Sequence, residues 1–239
     1  LLTKDTVLFD LDGTLLPIEL EDFLNRYFRY LTAALSDLFE ADHLIKAIMK
    51  ATDKMLNNDG ERLNSEVFKT TFFKLIRVDD EDEVMARFDR FYERKFPLLR
   101  EGIPVDEKPA RLVNYLKEEG YQLIVATNPV FPLIAIRERL KWLNLNPDDF
   151  MFITSYENMH YCKPNIGYYK EILKRCSLSP QQCIMVGNDP QEDMVASELG
   201  ITTFLVTDYL LERDPEKGYK PDWKGSFQEL IEYFHLLSA

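Results

Sequence analysis

The chain has 239 residues, 46% of them hydrophobic and 13% aromatic, with 9 Gly and 12 Pro; this excludes collagen-like, low-complexity and disordered classes and predicts a packed core. Its 41 Asp and Glu against 29 Lys and Arg give a net charge of −12, which opposes nucleic acid or an anionic membrane surface as a partner. Cys162, Cys176 and Cys183 lack paired metal spacing, and no apolar run approaches the ~20 residues of a membrane span. The expectation is therefore a cytoplasmic protein that binds neither nucleic acid nor membrane.

In chain order, the apolar run Thr6-Val7-Leu8-Phe9-Asp10-Leu11 reads as a buried strand that stops at the turn Asp12-Gly13-Thr14. From Glu19 to about Phe96 the spacing becomes helical, as in Phe23, Tyr27, Tyr30, Leu31 and Leu35, and predicts three or four helices without a strand. The aromatic stripes, including Phe72, are read as the core of that bundle. The acidic run Asp79–Glu83 reads as a helix N-terminus favoured by the helix dipole.

Beyond Gly102-Ile103-Pro104 the pattern alternates. Helices are expected over 108–119, 133–143, 166–176 and 227–237, with one more ending near Gly200, and strands over 121–126, 150–154, 183–186 and 203–206. Alternating strands and helices argue for an α/β fold, a Rossmann-like parallel sheet covered on both faces. Since the alternation begins at residue 6, pauses and resumes after Gly102, the segment 17–100 reads as an inserted α-helical cap domain. The core would then comprise 1–16 and 101–239.

Ligands of an open parallel sheet bind outside the carboxyl ends of its strands, and here those ends are polar. They carry Asp10, Asp12, Gly13 and Thr14, then Thr127 and Asn128, then Lys163 in the loop after the third strand, then Gly187, Asn188, Asp189 and Asp193. Each cluster alone reads as an ordinary turn or surface group. An ionised Asp10 at the end of an apolar strand, however, costs several kcal/mol unless paired, and two acids there call for a cation.

In their order, Asp10-Leu11-Asp12-Gly13-Thr14, Ala126-Thr127-Asn128, Lys163-Pro164 and Gly187-Asn188-Asp189 with Asp193 resemble the four motifs of the haloacid dehalogenase superfamily. The resemblance covers the core from about residue 4 to 206 and matches 17–100 to the family's helical cap. It implies Asp10 as a nucleophile that forms an aspartyl phosphate, Asp12 as acid and then base, and Lys163 holding the phosphoryl group. It also implies Thr127 and Asn128 as substrate-binding residues, and Mg2+ held by Asp10, the backbone carbonyl of Asp12 and an acid of the last motif. Many relatives have Gly-Asp where this chain has Gly187-Asn188, so either Asp189 is the ligand, with Asp193 behind it, or Asn188 takes that place; Asp189 is preferred for its charge. The namesake dehalogenases lack an acid at the position of Asp12, so Asp12 favours phosphoryl chemistry. The implied activity is a Mg2+-dependent phosphatase acting on a small phosphorylated metabolite. A phosphomutase, a 2-haloacid dehalogenase and a non-catalytic phosphometabolite-binding protein remain alternatives.

Overall fold

The structure, a computed structural model, describes residues 4–213 and 218–237. The first strand, β1 (Thr6–Phe9), is followed by helices α1 (Leu20–Ala34), α2 (Ala41–Leu56), α3 (Asn64–Leu75) and α4 (Glu81–Arg94), and by a 3-10 turn, Phe96–Arg100. Then come α5 (Lys108–Glu118), β2 (Gln122–Val125), α6 (Leu133–Trp142), β3 (Phe152–Ile153), α7 (Ile166–Cys176) and β4 (Cys183–Gly187). A 3-10 turn at Met194–Leu199, β5 (Thr202–Val206), β6 (Trp223–Gly225) and α8 (Phe227–Leu237) complete the chain.

The strands form one parallel sheet in the order β3-β2-β1-β4-β5-β6. The α/β class expected from the alternation is the one observed. All four residues of β1 are buried, as a central strand covered on both faces requires. Its alternate side chains divide between two clusters. Val7 and Phe9 pack with α5, α6 and α8, whereas Leu8 packs with Tyr168, Tyr169 and Ile172 of α7.

The first cluster continues without a break into α1–α4. Phe96 stacks on Trp142 of α6 with centroids 5.4 Å apart, and Phe23 meets Phe131 edge-on at 6.2 Å. Such ring pairs contribute ~0.5–1.5 kcal/mol each beyond their burial, so this aromatic seam fixes α1 against the sheet's helical layer. Phe23 and Phe72 are bundle core, as their spacing predicted. At α4 the acidic run is a helix N-terminus, with Asp80 Oδ1 accepting the Glu83 amide at 2.9 Å.

Three elements depart from expectation. The third strand keeps two residues. The helix expected before Gly200 is a six-residue 3-10 turn, ended by Gly200 at φ 84°. Strand β6 was not anticipated because Trp223 and Lys224 are exposed on the sheet's edge and carry no apolar run for a pattern to register. Among the described residues no helix is long and apolar enough to cross a membrane.

Candidate active site

The strand order places the carboxyl ends of β1, β2 and β4 side by side, with the switch in strand order between β1 and β4. Beyond Phe9 the Asp10 amide donates to the Val186 carbonyl at 2.8 Å, carrying the ladder one residue further and fixing Asp10 at its tip. The chain then folds back, with the Leu16 amide on Leu11 O and the Gly13 amide on Leu16 O, both at 2.8 Å. Gly13 is required twice over: its φ is +81°, and a Cβ there would lie 2.2 Å from Asn188 Nδ2. Gly187 has a similar purpose, since a Cβ would lie 2.1 Å from Asp193 Oδ2. Gly13 lets the β1 loop close on the β4 loop, and Gly187 lets the β4 loop bring Asp193 back onto its own strand end.

Lys163 is 1% exposed. Its Nζ lies 2.9 Å from Asp10 Oδ1 and 2.6 Å from Asp193 Oδ1. Burial opposes its charge, but Asp10 and Asp193 outweigh burial and hold the ammonium well above the ordinary lysine range. Burial raises Asp10 against the pull of Lys163 and pushes Asp193 up to about 7. Asp193 Oδ2 accepts the Asp189 amide at 3.0 Å, so Asp193 links the lysine to the β4 loop. The Lys163 amide in turn donates to Asn128 Oδ1 at 3.3 Å.

Asp12 faces the same cavity as Asp10 and is ion-paired to Arg139 through one oxygen, Oδ2. Arg139 is fully buried on α6, with its guanidinium 4.7 Å from the centre of the Phe131 ring and 5.7 Å from that of Phe23. Among the described residues Asp12 Oδ1 has no hydrogen-bond partner, so Arg139 anchors one oxygen and leaves the other available. Thr127 is buried and lines the cavity, as does Asn128. The Asn128 Nδ2 donates to Glu192 Oε2 at 3.0 Å.

Asp189 Oδ1 accepts the amides of Gln191 and Glu192 at 2.8 and 3.0 Å. Its Oδ2 has no hydrogen-bond partner among the described residues, with the Arg213 guanidinium 3.2 Å away. Arg213 also pairs with Glu192 at 2.7 Å. Asn188 is held by Thr14 Oγ1, which donates to its Oδ1 at 3.2 Å, and by its own Nδ2 donating to Tyr209 O at 2.6 Å. The structure thus brings together Asp10, Asp12, Thr127, Asn128, Asn188, Asp189 and Asp193 on one cavity, with Lys163 bonded to its floor.

The charges do not cancel. Asp10, Asp12, Asp189, Glu192 and Asp193 face Lys163, Arg139 and Arg213, leaving two formal negative charges in a largely buried cluster. Asp189 Oδ2, which Arg213 approaches at 3.2 Å without a hydrogen bond, adds an oxygen donor of the hard kind. This excess and donor set fit a divalent cation. Among the described residues no group of three or more His, Cys, Asp or Glu side chains gathers closely enough to hold a metal by itself. A set of two carboxylates and the Asp12 carbonyl needs no such group.

Sequence reasoning missed Arg139, Glu192, Arg213 and the cavity face of Tyr27. Arg139 left a signal: it sits on the buried stripe Ala135, Ile136, Arg139, Leu140 of α6, where a lone cation demands a buried partner. Cys162, close in sequence to Lys163, is a packed thiol against Met55 and Val67, and burial pushes it up to about 12.

Comparison with known proteins bears on the family and the fold. A family model described as haloacid dehalogenase-like hydrolase matches residues 4–207. The pyrophosphatase PpaX of Bacillus cereus (strain Q1) is 22% identical over 219 residues, 92% of this chain and 90% of that one. The 2-haloacid dehalogenase of Pseudomonas syringae pv. Tomato DC3000 superposes with a TM-score of 0.64 at 21% identity, over 97% of this chain and 98% of the other. Bacillus subtilis YfnB, solved bound to magnesium, gives 0.59 at 20% identity over 99% and 100%. With the match running from before β1 to beyond β5 and taking in every strand-end cluster described above, the chain belongs to the haloacid dehalogenase-like hydrolases.

Proposed function

We propose that the protein is a Mg2+-dependent phosphatase that hydrolyses a small organic phosphate monoester through an aspartyl phosphate on Asp10, with 17–100 as its cap. The observation that carries this reading is the buried contact of Lys163 Nζ with Asp10 Oδ1 at 2.9 Å, in a cavity that Asp12 also lines. Lys163 holds one oxygen of Asp10, and among the described residues the other meets Thr14 Oγ1 at 3.4 Å. That second oxygen attacks phosphorus, and the bond from phosphorus to the alcohol oxygen breaks with its electron pair on oxygen. Asp12, as general acid, gives the leaving oxygen a proton. It then takes a proton from the water that attacks phosphorus, which breaks the bond to Asp10 and releases inorganic phosphate. The unpartnered Oδ1 of Asp12 suits both transfers, while Arg139 keeps the side chain in place.

Lys163, Thr127, Asn128 and the backbone amides beyond Asp10 are the groups that receive the phosphoryl oxygens. Asp10, the Asp12 carbonyl and Asp189 would hold Mg2+, which when bound offsets the repulsion between the carboxylate and the phosphate dianion. Asn188, already engaged by Thr14 and Tyr209, supports the metal side from behind.

Phosphate release from an aryl phosphate tests the reading. Release is expected with Mg2+, to vanish on chelation and return with Mg2+, and to fall at least ~10³-fold in Asp10→Asn. Halide release from a 2-haloacid without metal would replace phosphatase by dehalogenase. Phosphate-ester binding without turnover, unchanged in Asp10→Asn, would make the protein a binding protein.

A further inference from the structure

The cavity above Asp10 extends well beyond the room a phosphate needs. It encloses about 260 Å³ and runs from the strand ends into the helical segment. Its far wall is built from Leu24 and Phe28 of α1, Ile48 of α2, Phe68 of α3, Met85 of α4 and Phe131 before α6. Met49 and Leu56 line it too and are 52% and 42% exposed, so α2 presents apolar groups where a solvent-facing helix normally places polar ones. Tyr27, read from its spacing as bundle core, also faces this space, and its hydroxyl is taken by that of Tyr92 at 2.9 Å.

The charges on that wall are equally informative. Among the described residues lining the cavity the basic side chain is Arg213, at the strand-end side and engaged by Asp189 and Glu192. The helical wall offers one charged group, the carboxylate of Asp89. A second phosphate or a carboxylate on the substrate would find no counter-charge there and one repelling charge. A polyhydroxylated chain would bury hydroxyls against Leu24, Phe28 and Phe68, at a cost unless each is hydrogen-bonded.

We propose that the substrate is the phosphate ester of an apolar alcohol, whose aromatic or branched aliphatic group lies against the far wall while the phosphate sits at Asp10 and Lys163. This rests on the phosphatase reading above and adds its substrate class. Discrimination comes from the apolar wall and from the lack, among the described residues, of a cation on its helical side, so diphosphates and carboxylated phosphoesters are poor substrates.

The test is kcat/KM for the 1-alkyl phosphates from methyl to hexyl, beside pyrophosphate, phosphoglycolate and a hexose phosphate, all with Mg2+. Hydrophobic burial predicts a rise of about fourfold per methylene until the cavity is filled, and hexyl phosphate is expected to exceed the polar compounds by more than tenfold. A flat alkyl series, or pyrophosphate or phosphoglycolate above hexyl phosphate, overturns the proposal while leaving the phosphatase reading intact. Thermal shifts with the same ligands separate the two claims. If nothing is hydrolysed but hexyl phosphate raises Tm more than ethyl phosphate and pyrophosphate, the phosphatase reading fails and the apolar site stands; if hexyl phosphate gives no larger shift, both fail. Phe28→Ser is expected to flatten the alkyl series. Met49→Lys, at a half-exposed position that tolerates the change, is expected to lower hexyl phosphate turnover relative to pyrophosphate by about tenfold; an unaltered ratio in a folded Met49→Lys overturns the proposal.

Discussion

The two walls of the cleft are made by different physics. On the sheet side, side chains are buried and ionic, each carboxylate held against a cation or an amide: Asp10 and Asp193 on Lys163, Asp12 on Arg139, Asp189 on two backbone amides. On the helical side they are mostly apolar, with the carboxylate of Asp89 as the charged exception among the described residues, and the buried polar contact between Tyr27 and Tyr92 satisfies itself. A wall of interlocked ion pairs has one workable arrangement, because removing Lys163 or Arg139 leaves a buried carboxylate unpaired. A wall of apolar side chains tolerates substitution of similar volume. Within one cavity, the first wall fixes chemistry and the second selects what is brought to it.

The sharpest way to break this contrast is Lys163→Met. It leaves Asp10 and Asp193 facing each other without their cation, and a loss of about 3–5 kcal/mol in folding stability is expected, read from urea unfolding, together with loss of turnover. A variant as stable as the parent would show that the sheet wall does not depend on charge compensation.

The helical wall should behave otherwise. Tyr27→Phe leaves the Tyr92 hydroxyl without its buried partner, and a cost of about 1 kcal/mol is expected. Tyr92→Phe should cost a similar amount, and Tyr27→Phe with Tyr92→Phe less than their sum, because two apolar rings leave nothing unsatisfied. Strict additivity in that cycle, measured by denaturant unfolding, would mean that the hydroxyls do not support each other and that the wall is less self-contained than its geometry implies.

This contrast also governs what the sequence made legible. Asp10, Asp12, Thr127, Asn128 and Asp189 act within a few residues of their own strand ends, so a local pattern of apolar run and turn places them. Helices over 166–176 and 227–237 were read to the residue for the same reason. Arg139 reaches Asp12 across 127 positions of sequence, and only packing of α6 beneath the β1 loop brings the two together. The apolar cavity was hidden for a subtler reason. An aromatic residue on a helix stripe has the same spacing whether it faces a neighbouring helix or a space, so Phe23 and Tyr27 are indistinguishable in sequence, yet Tyr27 lines the cavity and Phe23 does not. Burial pattern specifies which face is inside; it does not specify that the inside is filled.

The smallest expected effect concerns a support of the ionic wall. Glu171 on α7 accepts the His160 amide at 3.0 Å and His160 Nδ1 at 2.7 Å, and takes Arg175 Nε and Nη2 at 3.0 and 2.8 Å. His160 lies three residues before Lys163, so Glu171 ties down the loop that delivers the lysine. Burial works against the charge of Glu171, but His160 and Arg175 outweigh it and hold the carboxyl below the ordinary glutamate range. A carboxyl lowered by folding stabilises the protein above its unfolded value, near 4.5, and that contribution is lost as pH falls through the folded value. Partial exposure of Arg175 and His160 keeps the amount below about 1 kcal/mol, which is at most ~2–4 °C in Tm for a chain of this size. Glu171→Gln should therefore melt slightly below the parent at pH 7, and the gap should close as the pH is taken well below 4.5. A gap that persists unchanged in acid would mean that the loop is held by the shape of the hydrogen bonds rather than by the carboxylate charge, and that the charge compensation of the sheet wall ends at Lys163 and its two aspartates.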